Sequence, residues 1–305
     1  MKSFAIASRI LAIMLLPCFA HSFEIQGHRG ARGMLPENTL PAFIAAIEAG
    51  VDGVEMDLLL TRDREIVIHH NFSVNPKLCT YLDGSPIQDM TLIQDMTLAE
   101  LKRLDCGRLQ NPRFPQQKTL PGTLIPTLQE LFTLIKSSKH PNARKVRLNL
   151  EVKADPCTPQ YIPPYAEIAQ NMVQAVQGNG MEGHVYYSSF DFAMLAEIRK
   201  IDAKATLGLI FEAETLALAG IQADNWIAYI LASAVDLDAK IVSPDYALLT
   251  SDDVQAMHKA GLRVIPWTVN DPQICLGLID MGVDGIISDY PVEMLRLTSH
   301  LRKSE

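Results

Sequence analysis

The sequence predicts a (β/α)8 TIM barrel with an inserted cap or loop region and a β-hairpin after the second strand. Three observations carry this reading. Short apolar runs alternate with helix-period segments along most of the chain. There are eight such runs, and polar residues able to do chemistry gather at their ends.

The predicted strands are Glu24–Gly27, Val51–Leu58, Val146–Glu151, Val185–Ser188, Thr206–Ile210, Lys240–Ser243, Arg263–Trp267 and Asp284–Ser288. Between them the apolar period predicts helices such as Leu40–Ala49, Leu98–Leu104, Leu128–Lys136, Tyr165–Val176, Phe192–Ile201, Ser251–Ala260 and Asp271–Met281. Such alternation implies βαβ units and a parallel sheet. An open doubly wound sheet is the structural alternative. No GxGxxG follows the first strand, so a dinucleotide site is not indicated.

One further strand, Glu65–His69, follows the second after only Thr61–Arg64. A parallel crossover needs about a dozen residues, so this connection has to be a hairpin. With the turn centred between Arg62 and Asp63, Asp57 lies opposite Ile68 and Glu55 opposite His70. That register brings His70 to the face shared by Glu55 and Asp57. A slip of one residue would turn His69 inward instead.

Roughly residues 71–128 read as the insertion, rich in Pro, Gly, Gln and Asn. It contains a tandem copy, Ile87–Leu92 followed by Ile93–Leu98, and the second copy leads into a capping box at Thr97 and Glu100. The first copy reads as a tolerated loop insertion.

Residues 1–20 are of a different kind. Lys2 and Arg9 precede the apolar run Ile10–Leu16, and Pro17, Cys18, Phe19 and the small Ala20 at the expected cut site follow. This describes a secretory signal peptide, which leaves 21–305 as the mature barrel domain and implies an exported, periplasmic or secreted protein. The run is too short to span a bilayer. Four cysteines remain: Cys79, Cys106, Cys157 and Cys275. An exporting context permits disulfides, and the expectation is one bridge among the first three.

Composition narrows the function. The chain has 305 residues, is 48% hydrophobic and 20% charged, and carries a formal charge of −8. That supports a buried core, and with no long basic tract it argues against a nucleic-acid partner. Glu55, Asp57 and Glu151 fall on adjacent barrel strands, near the ends where barrels build their sites. Three close carboxylates require a cation or protons, and all-oxygen ligation favours Ca²⁺ or Mg²⁺. His28 and His70 beside such an ion supply an acid and a base, and Arg29 and Lys153 add charge suited to a phosphate. The inventory matches metal-assisted phosphodiester cleavage.

The motifs that carry this chemistry also resemble a known family, the glycerophosphodiester phosphodiesterases. They are His28-Arg29-Gly30-Ala31, Pro36-Glu37-Asn38-Thr39, Gly53-Val54-Glu55-Met56-Asp57, His70, Asn149-Leu150-Glu151-Val152-Lys153, Ser188-Ser189-Phe190-Asp191, Trp267-Thr268-Val269-Asn270 and Ser288-Asp289-Tyr290-Pro291. The resemblance implies a (β/α)8 barrel that hydrolyses small glycerophosphodiesters to sn-glycerol 3-phosphate and an alcohol. It implies Glu55, Asp57 and Glu151 as metal ligands and His28 with His70 as the acid–base pair. Arg29 and Lys153 would lie at the phosphate, Glu37 and Asn38 would support the first-strand loop, and Trp267 would line the glycerol pocket. The family usually has Asp after the second His, where this chain has Asn71. An exported enzyme meets free Ca²⁺, which favours Ca²⁺ over Mg²⁺. Two other readings stand beside this one: a secreted phospholipase acting on lysolipids or intact lipids, and a non-catalytic binding barrel. The phospholipase would use Phe114, Pro115, Leu120 and Leu124 as an apolar approach surface.

Overall fold

In the computed structural model, which describes residues 23–155, 157–222 and 225–301, the alternation is realised in order. The leader-like segment lies outside these residues. β1 (Glu24–Gly27) leads through α1 (Leu40–Ala49) to β2 (Gly53–Leu60), and β3 (Ile66–Ile68) folds back on β2. The excursion that follows contains β4 (Thr80–Tyr81), α2 (Leu98–Leu101) and β5 (Leu104–Asp105), with β4 and β5 paired antiparallel. The chain then runs α3 (Leu128–Ser137), β6 (Arg147–Val152), α4 (Tyr165–Gly178), β7 (Val185–Ser189), α5 (Phe192–Ile201) and β8 (Leu207–Phe211). It finishes with α6 (Ala213–Leu218), α7 (Trp226–Leu237), β9 (Ile241–Pro244), α8 (Ser251–Lys259), β10 (Arg263–Val264), α9 (Pro272–Met281), β11 (Gly285–Ser288) and α10 (Pro291–Leu297).

Eight of these strands, in the order β10-β9-β8-β7-β6-β2-β1-β11, form a nearly closed parallel barrel. The ring closes where Asp284 N–H donates to the Val264 carbonyl and Ile287 N–H to that of Pro266, each at 2.9 Å. Strand alternation divides the side chains. Ile25, Val54, Met56, Leu148 and Leu150 belong to the large apolar cluster that the helices cover. A separate, smaller cluster unites Tyr186, Ile241, Ile265 and Ile287, with Trp267 against it. Glu24 is buried near the starts of the strands, where Arg147, Arg263 and Gln26 hold its carboxylate. Buried charge there is paired, as its burial requires.

The hairpin forms, but its register differs by one residue from the sequence expectation: Leu58 pairs with Ile68, not Asp57. Asp57 is instead met by His69, whose N–H donates to the Asp57 carbonyl at 2.9 Å. The turn explains the shift. Arg64 takes a left-handed conformation (φ 68°) and Thr61 closes on Glu65 and Arg64, which centres the turn on Asp63. β3 ends at Ile68, so alternation stops before the two histidines, and His70 still reaches the barrel mouth.

α6, α7 and α10 lie beyond the helices read from periodicity. α7 (Trp-Ile-Ala-Tyr-Ile-Leu-Ala-Ser-Ala-Val-Asp-Leu) is apolar almost throughout, so it offers little contrast between faces. Cys79 and Cys106 form a disulfide beside the β4–β5 ladder, while Cys157 and Cys275 are free. No helix among the described residues is long and apolar enough to cross a membrane.

Candidate active site

The loop after β1 is held in an unusual backbone path. Arg29 (φ 50°), Gly30 (φ 82°) and Asn38 (φ 56°) all adopt left-handed conformations. At Gly30 a side chain would also strike the backbone of Ala42 at 2.7 Å, so the loop packs directly on α1. Non-glycine residues in this region are strained, and such strain clusters at functional sites. The path turns the Arg29 N–H onto Glu55 Oε2 at 2.8 Å and the Asn38 amide onto Asp57 Oδ2 at 2.7 Å.

Strand register assembles the carboxylates. Glu55 pairs with Asn149 and Asp57 with Glu151 along β2 and β6, so Glu151 stands beside Asp57. Glu55, Asp57 and Glu151 are buried and each offers an oxygen within 4.8 Å of the others. Lys153 contacts Glu151 at 2.5 Å and Asp57 at 3.5 Å. Arg29 reaches Asp57 at 3.2 Å and Glu37 at 2.8 Å.

These cations do not satisfy all three acids. Burial first, then repulsion from Asp57 and Glu151, pushes the Glu55 carboxyl well above its ordinary range. Burial also raises Glu151. Asp57 goes the other way: burial opposes its ionisation, but Arg29, His70 and Lys153 together hold it well below the usual carboxylate range. Glu55 Oε1 is buried without a hydrogen-bond partner. An unpartnered carboxylate oxygen within an oxygen-only cluster short of positive charge is the donor set of a hard divalent cation. The three residues therefore fit a metal ion.

Two histidines flank the cluster. His28 follows β1; its Nδ1 is 2.7 Å from Asp289 Oδ1 and its Nε2 3.8 Å from Glu55 Oε2. Burial lowers its pKa despite Asp289. His70 has a neutral partner, Asn71 Oδ1 at 3.2 Å, and burial, followed by Lys153 and Arg29, takes its pKa down to about 3. His69 turns away: its Nε2 meets the Ser73 carbonyl, and it borders a separate small cavity.

His28, Arg29, Glu55, His70, Glu151, Lys153 and Trp267 all face one cavity of about 830 Å³. Asp57 does not line it but contacts Arg29 and Lys153, which do. Trp267 packs edge-on to Phe190 and donates its indole N–H to the Ser243 carbonyl. Glu37 and Asn38 border the separate cavity instead, and act on the site through Arg29 and Asp57. Phe114, Pro115, Leu120 and Leu124 do not line the main cavity. Phe114 is buried between Tyr290 and the Arg32 guanidinium, which accounts for that residue as packing.

A profile of the Glycerophosphoryl diester phosphodiesterase family matches residues 28–293, the stretch that holds every residue of this site. The chain belongs to this family. A glycerophosphodiester phosphodiesterase of Caldanaerobacter subterraneus subsp. tengcongensis is 30% identical over 88% of this chain and 95% of its own length. A candidate glycerophosphoryl diester phosphodiesterase of Silicibacter pomeroyi has a similar solved structure. It shows a TM-score of 0.83 at 29% identity, covering 92% of this chain and 95% of its own. The Oleispira antarctica phosphodiesterase OLEI02445, solved with the product sn-glycerol-3-phosphate, has a TM-score of 0.69 at 25% identity, covering 91% and 97%. The chain is thus a member of an enzyme family, with a nearly closed eight-stranded barrel like that of its relatives.

Within this phosphodiesterase fold, one network escaped the sequence-based assignment of roles. Asp289 binds His28, receives two hydrogen bonds from Arg32 (2.7 and 3.0 Å) and one from the Asn270 amide (2.7 Å). Barrel closure holds the signal for it: Gly27 pairs with Ser288, so the residues that follow each strand meet.

Proposed function

We propose that this chain hydrolyses glycerophosphodiesters to sn-glycerol 3-phosphate and an alcohol, using a divalent ion held by Glu55, Asp57 and Glu151. The observation that carries this is the buried carboxylate cluster, with Glu55 Oε1 unpartnered, set between two histidines on one cavity. A bound divalent ion would polarise a phosphate oxygen and lower the pKa of an attacking hydroxyl.

The chain's own residues do the rest. Lys153 and Arg29 line the cavity and offset negative charge on the phosphate oxygens. His28 and His70 form the acid–base pair: one takes the proton of the attacking hydroxyl and the other protonates the leaving alcohol oxygen. Asp289 stabilises an imidazolium at His28 and fixes its tautomer, with Nδ1–H donating and Nε2 free for proton transfer. The attacking hydroxyl is the substrate's own, which gives a cyclic phosphate that water then opens. Trp267 borders the glycerol end of the pocket.

We assign Ca²⁺ over Mg²⁺ and an exported location together. The signal-like first twenty residues and the Cys79–Cys106 disulfide support export. The reaction is tested by ³¹P NMR of glycerophosphocholine turnover. Formation of sn-glycerol 3-phosphate through a transient cyclic phosphate is expected. Formation of phosphocholine instead would place the cut on the other ester bond and contradict the proposal.

A further inference from the structure

The floor of the main cavity holds a polar group that the reaction does not use. Ser243 lies on β9, two residues after Ile241, so the two side chains share a face. That face is the barrel interior, where Ile241 packs with Tyr186, Ile265 and Ile287. In the closed ring β9 stands four strands from β2 in either direction, and so opposite Glu55 and Asp57. Ser243 lines the cavity there with Ile210, Trp267 and Ile287. It is fully buried, and its Oγ has no hydrogen-bond partner within the protein. A buried hydroxyl left unpaired is costly, and such groups are rare in folded proteins. The other polar groups at this depth are already used. Asn149 accepts from the Ser188 hydroxyl at 2.6 Å and donates to Gln26 Oε1 at 3.3 Å. The Trp267 indole N–H donates to the Ser243 carbonyl at 2.8 Å. Among the described residues lining this cavity, the other buried side-chain oxygen without a partner is Glu55 Oε1, which belongs to the carboxylate cluster.

We propose that Ser243 binds the terminal hydroxyl of the substrate's glycerol, the one that takes no part in the attack, and so selects for glycerol. The inference rests on the reaction proposed above. There the attacking hydroxyl sits next to the phosphate-bearing carbon and stays with the carboxylates and histidines. The terminal hydroxyl then extends away from them, toward the opposite wall. The bond between Trp267 and the Ser243 carbonyl puts Ser243 at the glycerol end of the pocket. A serine hydroxyl donates and accepts, and it re-aims by rotation about one bond, which suits an alcohol oxygen. Ile210, Ile287 and Trp267 carry no charge, so this wall fits a neutral polar group and offers nothing to a second phosphate.

The test pairs a change in the protein with the matching change in the ligand. Binding of sn-glycerol 3-phosphate and of 1,2-propanediol 1-phosphate, which lacks the terminal hydroxyl, is measured by calorimetry in Ca²⁺ buffer. Wild type is compared with Ser243→Ala. One hydrogen bond to a buried, otherwise unpaired hydroxyl is worth about tenfold in affinity. Wild type should therefore prefer the glycerol ligand by about that factor. Ser243→Ala should bind the two ligands equally and should bind the propanediol ligand as wild type does. Its thermal midpoint without ligand should not fall, because the substitution removes a group that has no partner in the protein. Undetectable binding of sn-glycerol 3-phosphate to wild type, or equal binding of the two ligands, would overturn the proposal. So would a preference that persists in Ser243→Ala, an equal loss for both ligands, or a lowered midpoint, which would make the role structural. Glycerophosphocholine hydrolysis, run in parallel on wild type, reports the reaction alone. Its failure beside an intact hydroxyl preference would remove the reaction and keep the assignment of Ser243.

Discussion

At the scale of single residues, Asp289 has the most to reveal. It orients His28 and is itself fixed by Arg32 and Asn270, so Asp289→Asn keeps the shape of the side chain and removes its charge. We expect kcat to fall by about a hundredfold, with KM changed little, because the lost interaction acts on the protonated imidazole of the transition state. The same substitution has a stability signature. Burial opposes ionisation of Asp289, but the hydrogen bond and charge of His28, then those of Arg32, hold its pKa well below the ordinary value. A depressed carboxylate pKa stabilises the fold above the unfolded-state value of about 3.9, and that contribution fades as pH falls toward the folded-state value. Urea titrations should therefore show a gap between wild type and Asp289→Asn at neutral pH that narrows below about pH 4. A gap that widens with acid would contradict the assigned charge state. The site residues named from sequence were those with an unmistakable chemical type at a strand end, such as Glu55, Asp57 and Glu151. Asp289 was less legible because its role depends on the closing of β11 against β1, a contact between the two ends of the chain.

At the scale of elements, the excursion between β3 and α3 is the part held by covalent chemistry. Cys79 and Cys106 lie 27 residues apart. Closing a loop of that length stabilises by roughly 3.5 kcal/mol in the chain-entropy account. Cys79→Ala with Cys106→Ala should lower unfolding free energy by about 2–4 kcal/mol; an unchanged denaturation midpoint would show that the excursion unfolds separately from the barrel. α3 supplies a cleaner local test. Thr127 and Glu130 form a capping box, so Thr127→Ala should cost about 1 kcal/mol. Helices with contrasting faces, such as α3 and α5, were readable from the sequence to within a residue or two. The β2–β3 register was not, because a single left-handed residue, Arg64, moves the turn centre by half a step. His70 lines the main cavity despite that slip because β3 ends before it.

At the scale of the molecule, barrel and carboxylate cluster are energetically one object. The three carboxylates come from β2 and β6, adjacent strands near the middle of the sheet order, and their mutual repulsion acts against the folded state until a cation offsets it. A cation that binds only the folded form stabilises it by about 2.7 kcal/mol at a hundredfold excess over its Kd. Addition of Ca²⁺ should raise the thermal midpoint of the wild-type protein and leave Glu55→Ala unchanged, with calorimetric unfolding as the readout. The fold was legible because eight strand-like runs recur with helix-period segments between most of them; closure comes from packing that no local pattern encodes. The most direct measurement of the whole account is release of sn-glycerol 3-phosphate from glycerophosphocholine by the purified protein. It is run with Ca²⁺, Mg²⁺ or EDTA, beside His28→Ala and Glu55→Ala. The account predicts activity that requires a divalent ion, is greatest with Ca²⁺ and is lost in both variants. Equal activity in EDTA, or full activity in either variant, would contradict it.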